Sequence, residues 1–102
     1  MGYKSWVAEE DVSRDASVAV GITSVVLAQP KNRKCLTIQN TSTGLQKITV
    51  VYSRNAAVSG AGKVLEPGDV LTDSDSADYK CYDGQINAIS DLADGTVSIT
   101  ER

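Results

Sequence analysis

Acids, two thiols and a few aromatic rings are the side chains of this sequence that could do chemistry, and histidine is absent. Without imidazole, the triads and dyads that use it as general base are excluded. Asp73, Asp75 and Asp78 lie close enough in sequence to gather on a hard cation, which takes several oxygen ligands. Their spacing departs from the EF-hand loop, because Ala77 stands at a ligand position and neither the required glycine nor a closing glutamate is present. They read as a solvated acidic loop that offers a secondary contact surface. Cys35 falls within an apolar alternation and has no activating neighbour. Cys81 stands beside Lys80, but a buried, inert thiol is the simpler reading. No secretory signal core opens the chain, so two reduced thiols are expected, and two cysteines without histidine do not make a zinc site. "GAGK", residues 60–63, lacks both the first glycine and the Ser/Thr of a phosphate loop. A glycosidase would need two carboxylates facing across a cleft, and 102 residues are a small frame for one. No enzyme activity, metal or cofactor is expected.

The charges are more informative in their distribution than in their total of −3. Residues 16–65 contain six cations and no acid, whereas residues 66–102 contain nine acids against Lys80 and Arg102. Such a split has two readings. Basic and acidic strands can lie side by side and neutralise locally, or they can meet across subunits and set orientation. On the second reading Arg33, Lys47 and Arg54 contact the acidic C-terminal half of a neighbouring copy. Arg33, Lys34, Lys47 and Arg54 with Tyr52 could also track a nucleic-acid strand, but the chain is acidic overall and aromatics are only 5% of it, so no nucleic-acid partner is expected. No apolar run is long enough for a membrane-spanning helix, and no membrane partner is expected.

These residues are carried on short runs of branched aliphatics, which favour a pleated surface. The stretch 17–28, "SVAVGITSVVLA", reads as strand with a bend at Gly21. "CLTIQN" and "KITVVY" alternate with period two and are joined by a short polar loop, which predicts a hairpin. In "VLEPGDV", Pro67 presets the first central torsion of a turn and Gly68 takes the positive torsion of type II, which predicts a corner between two short strands. Asp83-Gly84 and Asp94-Gly95 mark further turns. About seven short strands at this spacing predict an all-β fold, a compact antiparallel β-sandwich or barrel, jelly-roll-like, over residues 17–102. Residues 1–16 are expected to form an extended N-terminal arm. Trp6 in that arm, with Tyr52, Tyr79 and Tyr82, also supplies candidate platforms for a sugar.

The order of these motifs carries a resemblance. "RKCLTIQNTS", "ITVVYS", a loop with "GAG", "LEPGD", "YKCYDGQINAIS" and "GTVSITE" follow one another over residues 17–102. In this the chain resembles the small β-sandwich virion proteins of tailed bacteriophages, of the capsid decoration (cement) or head-fibre type. The resemblance implies a non-enzymatic structural protein on the outside of a capsid, made in the cytoplasm of the host bacterium. Its implied partners are the major capsid protein and its own copies, as a homotrimer. The arm would grip the lattice through Tyr3, Trp6 and Val7. A head-fibre or tail adaptor module and a carbohydrate-binding β-module are the alternatives.

Overall fold

The computed structural model describes residues 13–102. Period-two alternation places every second side chain on one face, and eight segments obey it closely enough to pair: β1 (Arg14–Val20), β2 (Val25–Ala28), β3 (Cys35–Asn40), β4 (Ile48–Tyr52), β5 (Lys63–Leu65), β6 (Val70–Ser74), β7 (Ile86–Ser90) and β8 (Gly95–Glu101). They form two four-stranded sheets, ordered β1-β8-β3-β6 and β2-β7-β4-β5. Every pairing is antiparallel. The pairs β1·β8, β2·β7, β3·β6 and β4·β5 are those of one long hairpin rolled upon itself, the jelly-roll form of the β-sandwich. The expected all-β sandwich is therefore the fold, and a closed barrel is not.

Three local expectations need correction. The run 17–28 is two strands in different sheets, which brings the strands among the described residues to eight. Gly21 ends β1, and the chain crosses between sheets over residues 21–24. β1 itself starts at Arg14, so the last residues of the expected arm belong to the sheet: Arg14, Asp15 and Ala16 pair with Glu101, Thr100 and Ile99. Finally, "CLTIQN" and "KITVVY" do not form a hairpin. β3 lies between β6 and β8, and β4 lies between β5 and β7. The polar loop between them carries the chain from one sheet to the other.

The crossings at this end are held by particular residues. Asn40 is fully buried at the end of β3. Its Nδ2 donates to Gln46 O and Leu65 O, both at 2.8 Å, and its Oδ1 accepts from Ser42 N at 3.0 Å. One side chain thereby ties the β3–β4 crossing to the end of β5. The β5–β6 crossing is the type II turn that "EPGD" predicts: Asp69 N donates to Glu66 O at 2.8 Å, and Gly68 takes φ 91°. At the start of β8 the positive torsion falls on Asp94 (φ 64°) rather than on the glycine. Gly95 serves close approach instead, since a Cβ there would meet Val20 O at 2.6 Å.

Between the sheets lie Val20, Leu27, Leu36, Ile38, Ile48, Leu65, Ile86, Val97 and Ile99, all buried. Each such side chain contributes roughly 1.5–3 kcal/mol through burial. Cys81 joins this core, and burial is the main reason its thiol pKa is pushed up. Cys35 and Cys81 are both free thiols, as expected. The loop after β4 folds back over the outer face of its own sheet. Asn87 Nδ2 donates to Ser53 O at 2.7 Å and Asn55 O at 2.8 Å, and Ala57 of the same loop is buried. That is the service of the small residues in "NAAVSGAG". The antiparallel pairings put loops 21–24, 41–47, 66–69 and 91–94 at one end of the sandwich. Loops 29–34, 53–62 and 75–85 lie at the other, with the start of β1 and the end of β8.

Replacing Asn40 tests the staple. Asn40→Ala leaves two buried carbonyls without their donor and is expected to cost about 2–3 kcal/mol in urea unfolding. A loss under about 0.5 kcal/mol, within the usual range of surface substitutions, would show that Asn40 does not hold the crossings together.

Candidate functional site

β8 alternates with Gly95, Val97, Ile99 and Glu101 facing inward, so the same pattern that builds the core also buries a carboxylate. Glu101 is 0% exposed, and so is Arg33 from the β2–β3 loop. Arg33 Nε donates to Glu101 Oε2 at 2.9 Å. Its other donors reach Tyr82 O at 2.7 Å, Gly84 O at 3.2 Å and Gln29 O at 2.8 Å. Glu101 Oε1 accepts from Arg14 Nη1 and from Lys31 Nζ, each at 3.1 Å. Arg14 is the cross-strand partner of Glu101 in the β1·β8 ladder. Three cations thus converge on one carboxylate. Burial by itself would push the Glu101 carboxyl up; the hydrogen bonds from Lys31 and Arg14, with the charges of Lys31 and Arg33, outweigh it and hold the carboxyl below its ordinary value.

This overturns the expected role of Arg33. It cannot contact another copy, because no part of it reaches the surface and its guanidinium is occupied inside the chain. The other two expected subunit contacts are exposed but far from each other. Lys47 precedes β4 at one end, where its backbone N donates to Asp91 Oδ1 at 2.8 Å, and Arg54 follows β4 at the other. Lys31 and Arg14 were not singled out by sequence. The available signal was the inward register of Glu101, which demands cations nearby.

The acidic loop is more occupied than its composition suggests. Asp73, on β6, accepts from Tyr79 Oη at 3.1 Å and Tyr82 N at 3.2 Å. Asp75 accepts from Cys81 N at 2.7 Å. Asp78 stands exposed at the tip. Among the described residues no group of three metal-ligating side chains comes together. Tyr52 and Tyr82 stack at 4.4 Å with their planes 4° apart, which consumes one face of each candidate platform. Burial, followed by the Asp73 carboxylate, pushes the Tyr52 phenol up. Beside Tyr52 a groove of about 320 Å³ is lined by Val50, Val51, Gly62, Lys63 and Leu71. Tyr3, Trp6 and Val7 lie outside the described residues.

At the opposite end of the sandwich, three adjacent loops each present a large aliphatic side chain: Ile22 is 65% exposed, Leu45 80% and Leu92 47%. The loops brace one another. Ser90 N donates to Gly21 O at 2.8 Å, Gln46 Nε2 to Ala93 O at 2.9 Å, and Lys47 N to Asp91 as above. Sequence reasoning passed over Leu45 and Leu92 because each stands alone among turn formers, and it read Ile22 as part of the strand 17–28, whereas it lies in the crossing after β1.

No protein-family model matches the chain, and no curated protein matches it. Among solved structures, that of PirA is similar with a TM-score of 0.50 at 18% identity, over 92% of this chain and 96% of the other. At that identity the likeness is one of fold.

The buried cluster makes a pH prediction. Because the folded carboxyl titrates below its ordinary value of 4.5, Glu101 stabilises the fold fully above about that pH. The contribution disappears as pH falls through the folded value. Glu101→Gln strands Arg33 and is expected to cost about 3–5 kcal/mol at neutral pH, whereas Lys31→Gln, at a partly exposed position, costs about 1 kcal/mol. Urea unfolding at pH 7 and pH 4 checks both. A Glu101→Gln protein as stable as the parent at pH 7 would rule the cluster out as a structural centre.

Proposed function

We propose that this protein is a non-enzymatic virion structural protein that binds the outside of a phage capsid and stabilises it, as decoration or cement proteins do. The observation that carries this reading is the braced, apolar-tipped end formed by Ile22, Leu45 and Leu92. Large aliphatics held out on loops that are tied to one another suit contact with another protein surface. Such a patch is small, and a capsid lattice compensates by presenting the same site many times. The arm residues Tyr3, Trp6 and Val7 would add a second grip. The internal use of Glu101 and Arg33 also fits, since both fully buried charges are spent on tying the ends of strands together.

Co-sedimentation with purified capsids of the phage that carries the gene tests the reading. The parent protein is expected in the pellet, and a Leu45→Ser/Leu92→Ser variant with an unchanged melting temperature is expected to bind at least about tenfold more weakly, a difference of about 1.4 kcal/mol. Deletion of residues 1–12 measures the arm separately, and unchanged binding would remove Tyr3, Trp6 and Val7 from the contact. Parent protein left in the supernatant, together with a sugar-dependent shift in tryptophan fluorescence, would replace the capsid reading with a carbohydrate-binding one.

A further inference from the structure

The cation cluster at Glu101 opens onto the surface. Arg14 and Lys31 stand at the wall of a cavity of about 310 Å³, completed by Val26, Leu27, Ala28 and Gln29. Arg14, Lys31 and Arg33 share one carboxylate, so two positive charges remain uncompensated within the cluster. Arg33 is sealed inside, and the surplus faces outward through Arg14 and Lys31, whose side chains are partly exposed. The β6–β7 loop at the same end of the sandwich carries the opposite surplus. Asp75 and Asp78 are exposed there, and no ion pair among the described residues includes either. Lys80, the nearest cation in that loop, donates to the neutral Asn32 Oδ1 at 3.1 Å instead. The two loops are neighbours, joined by the bond from Lys31 N to Asp83 O at 2.9 Å, yet their opposite charges do not meet within one copy.

We infer that the Arg14–Lys31 cavity is the seat for the Asp75–Asp78 segment of a second copy of this chain. The two patches adjoin at one end of the sandwich, so a two-fold pair satisfies both at once, each copy seating its Asp75–Asp78 segment in the other's cavity. Like-charged alternatives are repelled, which fixes the orientation of the neighbours. The division of charge between the two halves of the sequence therefore acts across subunits through Lys31, joined by Arg14 from ahead of the basic block, rather than through Arg33, Lys47 and Arg54. This association belongs to the free protein and does not depend on capsid binding.

Light scattering after size exclusion at about 50 mM and about 500 mM salt reads it directly, since exposed charge pairs are screened beyond a few ångströms at the higher concentration. The parent protein is expected to form a closed oligomer at low salt and to dissociate at high salt. Asp78→Lys, on an exposed loop tip, and Lys31→Glu are each expected to weaken the low-salt oligomer at least about tenfold, and the double variant to return within about threefold of the parent. Melting curves confirm the fold of each variant; should Lys31→Glu not fold because it faces Glu101, Lys31→Gln takes its place and Asp78→Lys alone decides. A parent that is monomeric at both salts, an oligomer indifferent to Asp78→Lys, or a folded double variant that stays apart would overturn the inference.

Discussion

A carboxylate buried at the end of the last strand has to be neutralised, and much of one end of this protein is organised by that need. Glu101 draws in Arg14 from the start of β1 and Lys31 and Arg33 from the crossing between β2 and β3. Arg33 in turn gathers the carbonyls of Gln29, Tyr82 and Gly84. Segments remote in sequence are thus specified to meet at one point. Such a cluster is weak as a source of net stability, because desolvation offsets most of the attraction. Its effect is on uniqueness. A β8 shifted by one residue would point Glu101 outward and leave Arg33 buried without a counter-charge.

The opposite end is closed by hydrogen bonds, with no ion pair there among the described residues. Asn40 binds two carbonyls and one amide, and the turn at Pro67-Gly68 packs its own backbone against it, with Gly68 N donating to Asn40 O at 2.8 Å. The two ends therefore differ in what they present. One is braced and tipped with aliphatics; the other carries separated positive and negative patches. Under the proposed capsid role, the first end would face the shell and the second would address identical neighbours.

The acidic loop shows how composition can mislead. Three aspartates in six residues suggest a cation site or a solvated tip. Two of them are committed to backbone amides and a tyrosine hydroxyl, and so they shape the segment that delivers Cys81 to the core. The aromatic residues behave similarly, with Tyr52 and Tyr82 satisfying each other.

Local chemistry was enough to read the strands and their corners. Alternation in "CLTIQN" and "GTVSITE" foretold the inward faces, and the Pro-Gly pair foretold a type II turn, because these depend on neighbours within a few residues. Sheet membership was not legible. A strand's periodicity is the same whether its loop turns back beside it or crosses to another sheet, so the β3–β4 hairpin was misread and the stretch 17–28 passed for one strand. The burial of Arg33 and Glu101 was decided only by the tertiary structure, since the charge of each is silent about a partner 68 residues away. The same holds for the aliphatic end, where Ile22, Leu45 and Leu92 come to one end of the sandwich only because the rolled topology brings their loops there.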